Sequence, residues 1–356
     1  MSTGAALQLA DQARRLQGLT LDAAGLGPVR TPSEVVLEAP GLVLHGYRDR
    51  RGPGLDRPPV LIVPAPIKRA WIWDLAPGVS VVRRLLGHGL RVYLVEWTSP
   101  VDAGLDAYAD RLLLDCLDAI RAATGQRRVV LAGHSLGGTF AAIAAARHPD
   151  RVHALVLVES PLRFGARAGA LAPLVALTPH GRGLRAAFGD LPGAVLDLAS
   201  VTAAPEAFVW ERWADLAASL GDAEAVWTHL RVVRWTLDEL PFPGRLFEDV
   251  LERLYRRDEF ARGRLTLEGR RVGPAGLDMP MLHVVNPRSR VVPPSSVLPV
   301  HERAPASDKP LHWYTGERGV GLQHVGGLVG RCAHARLWPR ILVWLDQLPG
   351  SRDAAG

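Results

Sequence analysis

The stretch "VVLAGHSLGGTF", from Val129 to Phe140, decides how this chain folds. Its first half is an apolar run typical of a buried strand, and its second half is rich in small residues and typical of a helix. Between the two halves stands Ser135, with Gly133 and Gly137 two residues to either side. Side chains at those two positions would clash across a tight turn, so the pattern predicts a serine hydroxyl exposed at the end of a strand.

The segments around this stretch alternate between buried strands and helices. Apolar runs predict strands at 59–66, 90–97, 152–160 and 279–286, and amphipathic segments between several of them predict helices. Such alternation is typical of a mostly parallel central sheet with helices on both faces. Together with the Gly-x-Ser-x-Gly turn it predicts the α/β-hydrolase fold.

The pattern changes in the middle of the chain, where helix-like segments containing several tryptophans replace the alternation. We interpret residues 162–277 as a helical cap inserted into a core made of residues 31–161 and 278–349. Residues 1–30 are interpreted as an N-terminal extension and residues 350–356 as a disordered tail.

Composition narrows the classes of function. Of 356 residues, 48% are apolar and 22% charged, as in ordinary globular proteins. The net charge of +6 comes from scattered arginines, which argues against a nucleic-acid partner and leaves room for an anionic substrate. Two separated cysteines, no signal peptide and no membrane-spanning run predict a cytoplasmic protein, and we expect no metal and no cofactor.

A general base for Ser135 is expected on a loop after the last core strand, because triads in this fold run serine, acid, histidine along the chain. The segment "GVGLQHVGG", residues 319–327, offers His324 between glycines that permit a mobile loop. The alternative for His324 is a loop histidine with a purely structural hydrogen bond. His312 lies in a predicted strand and His334 in the last helix, so both are interpreted as structural.

Two long motifs carry a more specific resemblance. They are "PVLIVPAPIKRAWIWDLAPGVSVVRRLLGHGLRVYLVEWTSP" (59–100) and "RWTLDELPFPGRLFEDVLERLYRRDEFARGRLTLEGRRV" (234–272). With the histidine segment and the last helix, they make residues 35–349 similar to polyhydroxyalkanoate synthases. The resemblance implies acyl-coenzyme A thioesters as substrate, a polyester product, and a cysteine, a histidine and an aspartate as catalytic residues.

The chain departs from that family at two catalytic positions. Ser135 stands where the family has cysteine, which favours an esterase or transacylase because a serine-held acyl chain is a less activated ester. Ser289, flanked by Arg288 and Arg290, stands where the family has aspartate. Glu159, at the end of the strand after the elbow helix, is either a relocated acid or an ordinary glutamate paired with an arginine.

An oxyanion needs two N–H donors, and the sequence leaves the second one open. The N–H of Leu136 follows the nucleophile and is the first donor. The equivalent of the second is Pro66, which has no N–H, so Ala65 or Ile67 must substitute for it.

Three further residues are candidates for contact with the substrate. Lys68 could meet coenzyme A phosphates, or it could be a solvated loop residue. Trp71 and Trp235 could line the acyl site, or they could be packing residues.

Three functions therefore remain open. The first is serine-dependent acyl transfer or hydrolysis on a hydroxyacyl ester or thioester. The second is a non-catalytic synthase-like subunit or granule-binding protein, and the third is a true polymerase that uses serine. For partners, the sequence leaves open a homo-oligomer, a partner subunit and a polyester granule.

Overall fold

A computed structural model describes residues 3–47, 57–166 and 169–349, and in them the predicted central sheet is present. Its eight strands run in the order β1-β2-β4-β3-β5-β6-β9-β10, and a separate hairpin is formed by β7 and β8. The strands are β1 Glu34–Ala39, β2 Leu42–Tyr47, β3 Val60–Val63, β4 Val92–Trp97, β5 Val129–His134, β6 Val152–Val158, β7 Leu265–Leu267, β8 Arg270–Val272, β9 Met281–Val285 and β10 Leu311–Trp313.

The sheet is antiparallel only at one edge. The hairpin β1–β2 pairs antiparallel with itself and with β4, while β4, β3, β5, β6, β9 and β10 are parallel neighbours. Strands β3, β5 and β6 are buried along their whole length, which explains why their sequences are continuously apolar rather than alternating. The carboxyl ends of the parallel strands therefore meet at one edge, where ligands bind in open α/β sheets.

Helices cover both faces of the sheet and fill the region between β6 and β9. They are α1 Thr3–Ala23, α2 Val81–Gly87, α3 Leu112–Thr124, α4 Ser135–Arg147, α5 Leu171–Leu177, α6 Gly181–Phe188, α7 Gly193–Ala203, α8 Glu211–Ser219, α9 Ala223–Thr236, α10 Gly244–Asp249, α11 Leu298–Arg303, α12 Gly326–Val329 and α13 Trp338–Gln347. None of these described helices is long and apolar enough to cross a bilayer.

Local sequence signals set two of the helix ends. The Ser80 hydroxyl accepts a hydrogen bond from the N–H of Arg83 at 2.9 Å and so caps α2. Gly125 ends α3 with a φ of +73°, a left-handed conformation that favours glycine.

The helices α5 to α10 and the hairpin β7–β8 lie between β6 and β9, where the sequence predicts the cap. Short backbone contacts connect this region to the core, since Lys68 after β3 forms an isolated bridge with Glu239 after α9. The exact domain boundaries stay a prediction.

Most of the described part of the predicted N-terminal extension is one helix. Residues 3–23 form one helix, α1, whose Arg14 guanidinium reaches Asp197 at 2.6 Å and Glu239 at 2.7 Å. Asp22 pairs with Arg234 at 2.7 Å in the same region. These ion pairs to α7, α9 and the segment after α9 hold α1 in place, and its sequence does not reveal them because the partners lie about 200 residues away. The predicted tail 350–356 lies outside the described residues.

Candidate active site

The predicted elbow is formed between β5 and α4. Ser135 has a φ of +54°, a strained left-handed conformation for a residue other than glycine. A Cβ on Gly133 would collide with the backbone of Gly138, and a Cβ on Gly137 would collide with the carbonyl of Val63. Only glycine fits at both positions, so the sterics inferred from the sequence hold in three dimensions.

The N–H donors expected for an oxyanion lie around the start of α4. Leu136 is in the first turn of α4, where N–H groups have no acceptor within the helix. The loop after β3 runs directly over this turn, because a Cβ on Gly137 would lie 2.7 Å from the N atom of Ala65. The carbonyl of Ile67 accepts a hydrogen bond from Leu240 at 3.2 Å, so Ile67 faces the segment after α9.

Glu159 follows β6, the strand next to the elbow strand. Its φ of +42° is again left-handed, and its N–H donates to the carbonyl of Val284 on β9 at 2.9 Å. The side chain is fully buried. Two strained residues, Ser135 and Glu159, therefore stand at the carboxyl ends of neighbouring strands, which is where strain is typically kept for function.

The structure brings His324 and Glu159 together. His324 Nδ1 lies 3.4 Å from Glu159 Oε2, although 165 residues separate them in the chain. Burial raises the pKa of the Glu159 carboxyl to about 8, while the His134 ring and the Ser289 hydroxyl lower it in part. Burial also lowers the pKa of His324 to about 4. At neutral pH the imidazole is therefore neutral and able to accept a proton.

His134 has a structural task that the sequence analysis missed. Its Nε2 donates to the backbone carbonyl of His324 at 2.7 Å, and the two rings lie 4.5 Å apart between centroids. Because His134 directly precedes Ser135, this bond ties the histidine segment to the elbow. The only signal in the sequence was a polar residue within an otherwise buried strand end.

The residue at the position where the resemblance implies an aspartate, Ser289, also lies next to Glu159. Ser289, in the loop after β9, lies beside the carboxyl of Glu159 and favours its ionised form. The two flanking arginines are exposed, and Arg290 forms an ion pair with Glu206 at 3.2 Å. The group facing His324 Nδ1 is therefore a carboxyl, and the two exposed arginines line the cavity that also reaches the imidazole.

The three residues predicted to contact substrate have internal partners instead. The Lys68 ammonium pairs with Glu239, donates to the carbonyl of Thr236 at 2.7 Å, and lies over the ring of Trp235. The indole N–H of Trp235 donates to the carbonyl of Arg69 at 2.8 Å, and that of Trp71 reaches Asp238 at 3.4 Å. For Trp71 and Trp235 these contacts correspond to the packing alternative. Lys68 is paired with Glu239 rather than solvated, and its contact with a substrate stays a prediction.

One cavity of about 340 Å³ opens beside His324. It lies among the loops that follow β9 and β10 and the start of α8, and its walls include Asn286, Arg288, Arg318 and Gln323. Ser135 is not one of the described residues around it. The cavity therefore reaches the imidazole and the Ser289 loop without reaching the nucleophile.

Comparison with known proteins identifies the class. Residues 68–218 match the family model for the alpha/beta hydrolase fold. A monoacylglycerol lipase from Paleococcus ferrophilus superposes with a TM-score of 0.53 and 16% identity, covering 86% of this chain and 99% of that one. An esterase from Thermogutta terrifontis superposes with a TM-score of 0.51 and 17% identity, covering 90% of this chain and 99% of that one. The predicted fold is confirmed, and the chain is an α/β-hydrolase-fold protein.

The nearer relatives are polymerase subunits. A poly(3-hydroxyalkanoate) polymerase subunit from Haloferax mediterranei is 30% identical over 323 residues, which are 89% of this chain and 64% of the relative. One from Allochromatium vinosum is 27% identical over 348 residues, covering 96% of both chains. This chain thus spans less than two thirds of the first relative and nearly all of the second. The resemblance to polyhydroxyalkanoate synthases is confirmed, and the similarity to these polymerase subunits supports the prediction of an enzyme of this fold.

Proposed function

We propose that the protein transfers or hydrolyses short hydroxyacyl groups through an acyl-enzyme on Ser135, with His324 as base and Glu159 as acid. The observation that carries this proposal is the carboxyl of Glu159 at 3.4 Å from His324 Nδ1, despite the loss of the family aspartate. A degraded site would have no reason to keep a buried carboxyl there, because burying it without full hydrogen bonding costs free energy.

In the first step Ser135 attacks the carbonyl carbon of a hydroxyacyl thioester or ester. Its hydroxyl proton passes to His324 Nε2, the ring nitrogen opposite the one that faces Glu159, while the new Oγ–C bond forms. The oxyanion is held by the N–H of Leu136 and by that of Ala65, which we favour over Ile67 because the Ala65 loop lies directly over Gly137.

Collapse of this intermediate breaks the bond to the leaving group and gives an acyl-serine. The proton on His324 Nε2 goes to the departing thiolate or alkoxide, so the base is neutral again. In the second step water, or the hydroxyl of another hydroxyacyl group, loses its proton to His324 and attacks the acyl-serine. Ser135 recovers its proton when the product leaves.

The acceptor in the second step separates a hydrolase from a polymerase. We favour hydrolysis or single transfers, because an ester on serine is less activated than the thioester that a cysteine would hold. The polymerase alternative draws its support from the names of the relatives. Incubation with 3-hydroxybutyryl-coenzyme A, followed by mass analysis, would distinguish free hydroxy acid from oligoester, and Ser135→Cys is expected to shift the products toward oligoester.

The mechanism is tested by the intact mass of the purified protein after reaction with a fluorophosphonate. We expect a single adduct on the wild type, none on Ser135→Ala, and at least ~10³-fold slower labelling of His324→Ala. Wild-type protein that is folded but unlabelled would overturn the proposal, and so would a His324→Ala variant labelled at the wild-type rate.

A non-catalytic role on an apolar surface is the second candidate. It is favoured by exposed tryptophans, since Trp210 is 68% and Trp213 is 65% exposed at the start of α8. Such side chains suit a polyester surface or a partner subunit. Depletion of the protein by polyester particles, compared with a Trp210→Ser/Trp213→Ser variant, measures this candidate independently of the labelling experiment.

A further inference from the structure

The loop that carries His324, residues 314–325, is bound to the cap region by a single carboxylate. Asp215 on α8 accepts a hydrogen bond from the N–H of Gly319 at 2.8 Å on Oδ1 and from the N–H of Gly321 at 2.9 Å on Oδ2. We call residues 314–325 the histidine loop. One side chain thus holds two of its amides, although 104 residues separate Asp215 from Gly319.

Asp215 is itself fixed by a second buried residue. His229 on α9 lies with Nδ1 2.8 Å from Asp215 Oδ2, and the side chains are 2% and 5% exposed. Burial raises the pKa of the Asp215 carboxyl, but the hydrogen bonds from His229 and the two glycine amides outweigh it and bring the pKa below its ordinary value. The carboxylate is therefore ionised, and three N–H donors compensate its burial.

Gly319 and Gly321 also allow the loop to pack directly against α9, because a side chain at either position would clash with that helix. A Cβ on Gly319 would lie 2.6 Å from the Cβ of Ala225, and a Cβ on Gly321 would lie 2.9 Å from the carbonyl oxygen of His229. Both glycines also have positive φ, of +76° and +66°. The loop follows the surface of α9 so closely that it cannot shift alone.

Opposing contacts fix the other end of the loop to the core. The carbonyl of His324 accepts from His134 in the elbow at 2.7 Å. The Gln323 side chain donates to the carbonyl of Glu317 at 2.7 Å, and the Glu317 carboxylate accepts from the N–H of Ala333 at 2.8 Å. His324 therefore lies between an anchor in the core and the Asp215–His229 pair in the cap region, only three residues beyond Gly321.

We propose that Asp215 and His229 are positioning residues that set the place of His324 relative to Ser135 and make it depend on where α8 and α9 lie. This inference rests on the proposed role of His324 as the base. If α8 or α9 moved when substrate entered, the imidazole would move as well, because Asp215 is hydrogen-bonded directly to the amides of Gly319 and Gly321 in the histidine loop. No contact between either residue and substrate is needed.

The test is Asp215→Asn, which keeps the shape of the side chain but replaces one acceptor with a donor that faces an N–H. We expect the turnover rate for an activated hydroxyacyl ester to fall ~100-fold, as for a misplacement of about 1 Å, with KM changed less than about threefold. The matched control is Asp249→Asn, another cap-region carboxylate that accepts a backbone N–H, from Leu105 at 2.9 Å. It should leave turnover near the wild-type value.

Combination with His324→Ala distinguishes positioning from general damage. If Asp215 acts only through His324, then Asp215→Asn should not slow the residual reaction of His324→Ala any further. An equal loss in both backgrounds, or a wild-type rate for Asp215→Asn, would overturn the inference while leaving the proposed function intact. A wild-type rate for His324→Ala alone would overturn both.

A second pair of variants covers the case in which Asp215→Asn does not fold. His229→Ala removes the donor that orients Asp215 and should lower turnover about tenfold, whereas His229→Asn keeps an N–H donor near the Nδ1 position and should restore it to within about threefold. Equal rates for the two variants would contradict the proposed positioning.

Discussion

The loops after β6 and β9 both lie near the imidazole of His324, but one carries a carboxyl there and the other carries a hydroxyl between two arginines. The first contributes Glu159, buried and 3.4 Å from His324. The second contributes Ser289 between two exposed arginines, at the position where the resemblance implies an aspartate. In this chain the carboxyl comes from the first loop, and the second loop supplies a hydroxyl that lies beside it.

The sheet offers two neighbouring positions from which a carboxyl could face His324. Strands β6 and β9 are parallel neighbours, with Val158 opposite Val284, so the residues that follow them arrive at one point. We therefore predict that a carboxylate can be exchanged between the two loops without moving the histidine.

Glu159→Gln should have the largest effect. Glutamine keeps the shape but cannot carry the charge that stabilises an imidazolium, so we expect turnover to fall by a factor on the order of 10⁴. The measurement is turnover of a hydroxyacyl ester. Asp258→Asn is the control, because Asp258 is also a buried carboxyl, accepting from the N–H of Phe164 at 2.8 Å. Equal activity of the two variants would show that Glu159 is only structural.

Ser289→Asp in the Glu159→Gln background tests whether the two loops are interchangeable. A carboxylate at 289 should face the same imidazole, so we expect at least ~10-fold recovery of the lost turnover. Ser289→Asn in the same background is the matched control without charge. No recovery with aspartate, in a protein with an unchanged melting temperature, would mean that the second loop no longer reaches His324.

The pH profile should report the ionisation of Glu159. Its pKa is raised by burial to about 8, so the carboxyl is neutral below that pH and supports the imidazolium only above it. Turnover should therefore rise about tenfold per pH unit below 8 and level off above it. Glu159→Gln should not show this rise in turnover below pH 8. A wild-type profile that is flat between pH 6 and 9 would contradict the role of Glu159 as the ionising carboxyl.

Ser289→Ala should have the smallest effect. Because the Ser289 hydroxyl lowers the pKa of Glu159, its removal should move the midpoint of that rise in turnover upward by less than about one unit. The plateau at high pH should stay near the wild-type value. A midpoint that moves downward would show that the hydroxyl favours the neutral carboxyl.

The sequence best predicts those structural features that depend on residues close together in the chain. The elbow at Ser135, the cap of α2 at Ser80 and the end of α3 at Gly125 each depend on residues within one turn. Contacts across the chain were harder to foresee. The pairing of Lys68 with Glu239 is an example, since 171 residues separate the two and nothing near Lys68 indicates its partner.

By itself, the sequence determined the α/β-hydrolase fold, the serine elbow and the identity of the candidate base, because sterics and strand periodicity act locally. It left open which carboxyl serves His324, which amide of the loop after β3 faces the elbow, and what holds the histidine loop. The contacts that bear on these questions form only in the folded chain. The fold brings Glu159, Ser289 and Asp215 to that loop from three distant segments, and hydrogen bonds form wherever the folded chain brings donors and acceptors together, whatever their separation in sequence.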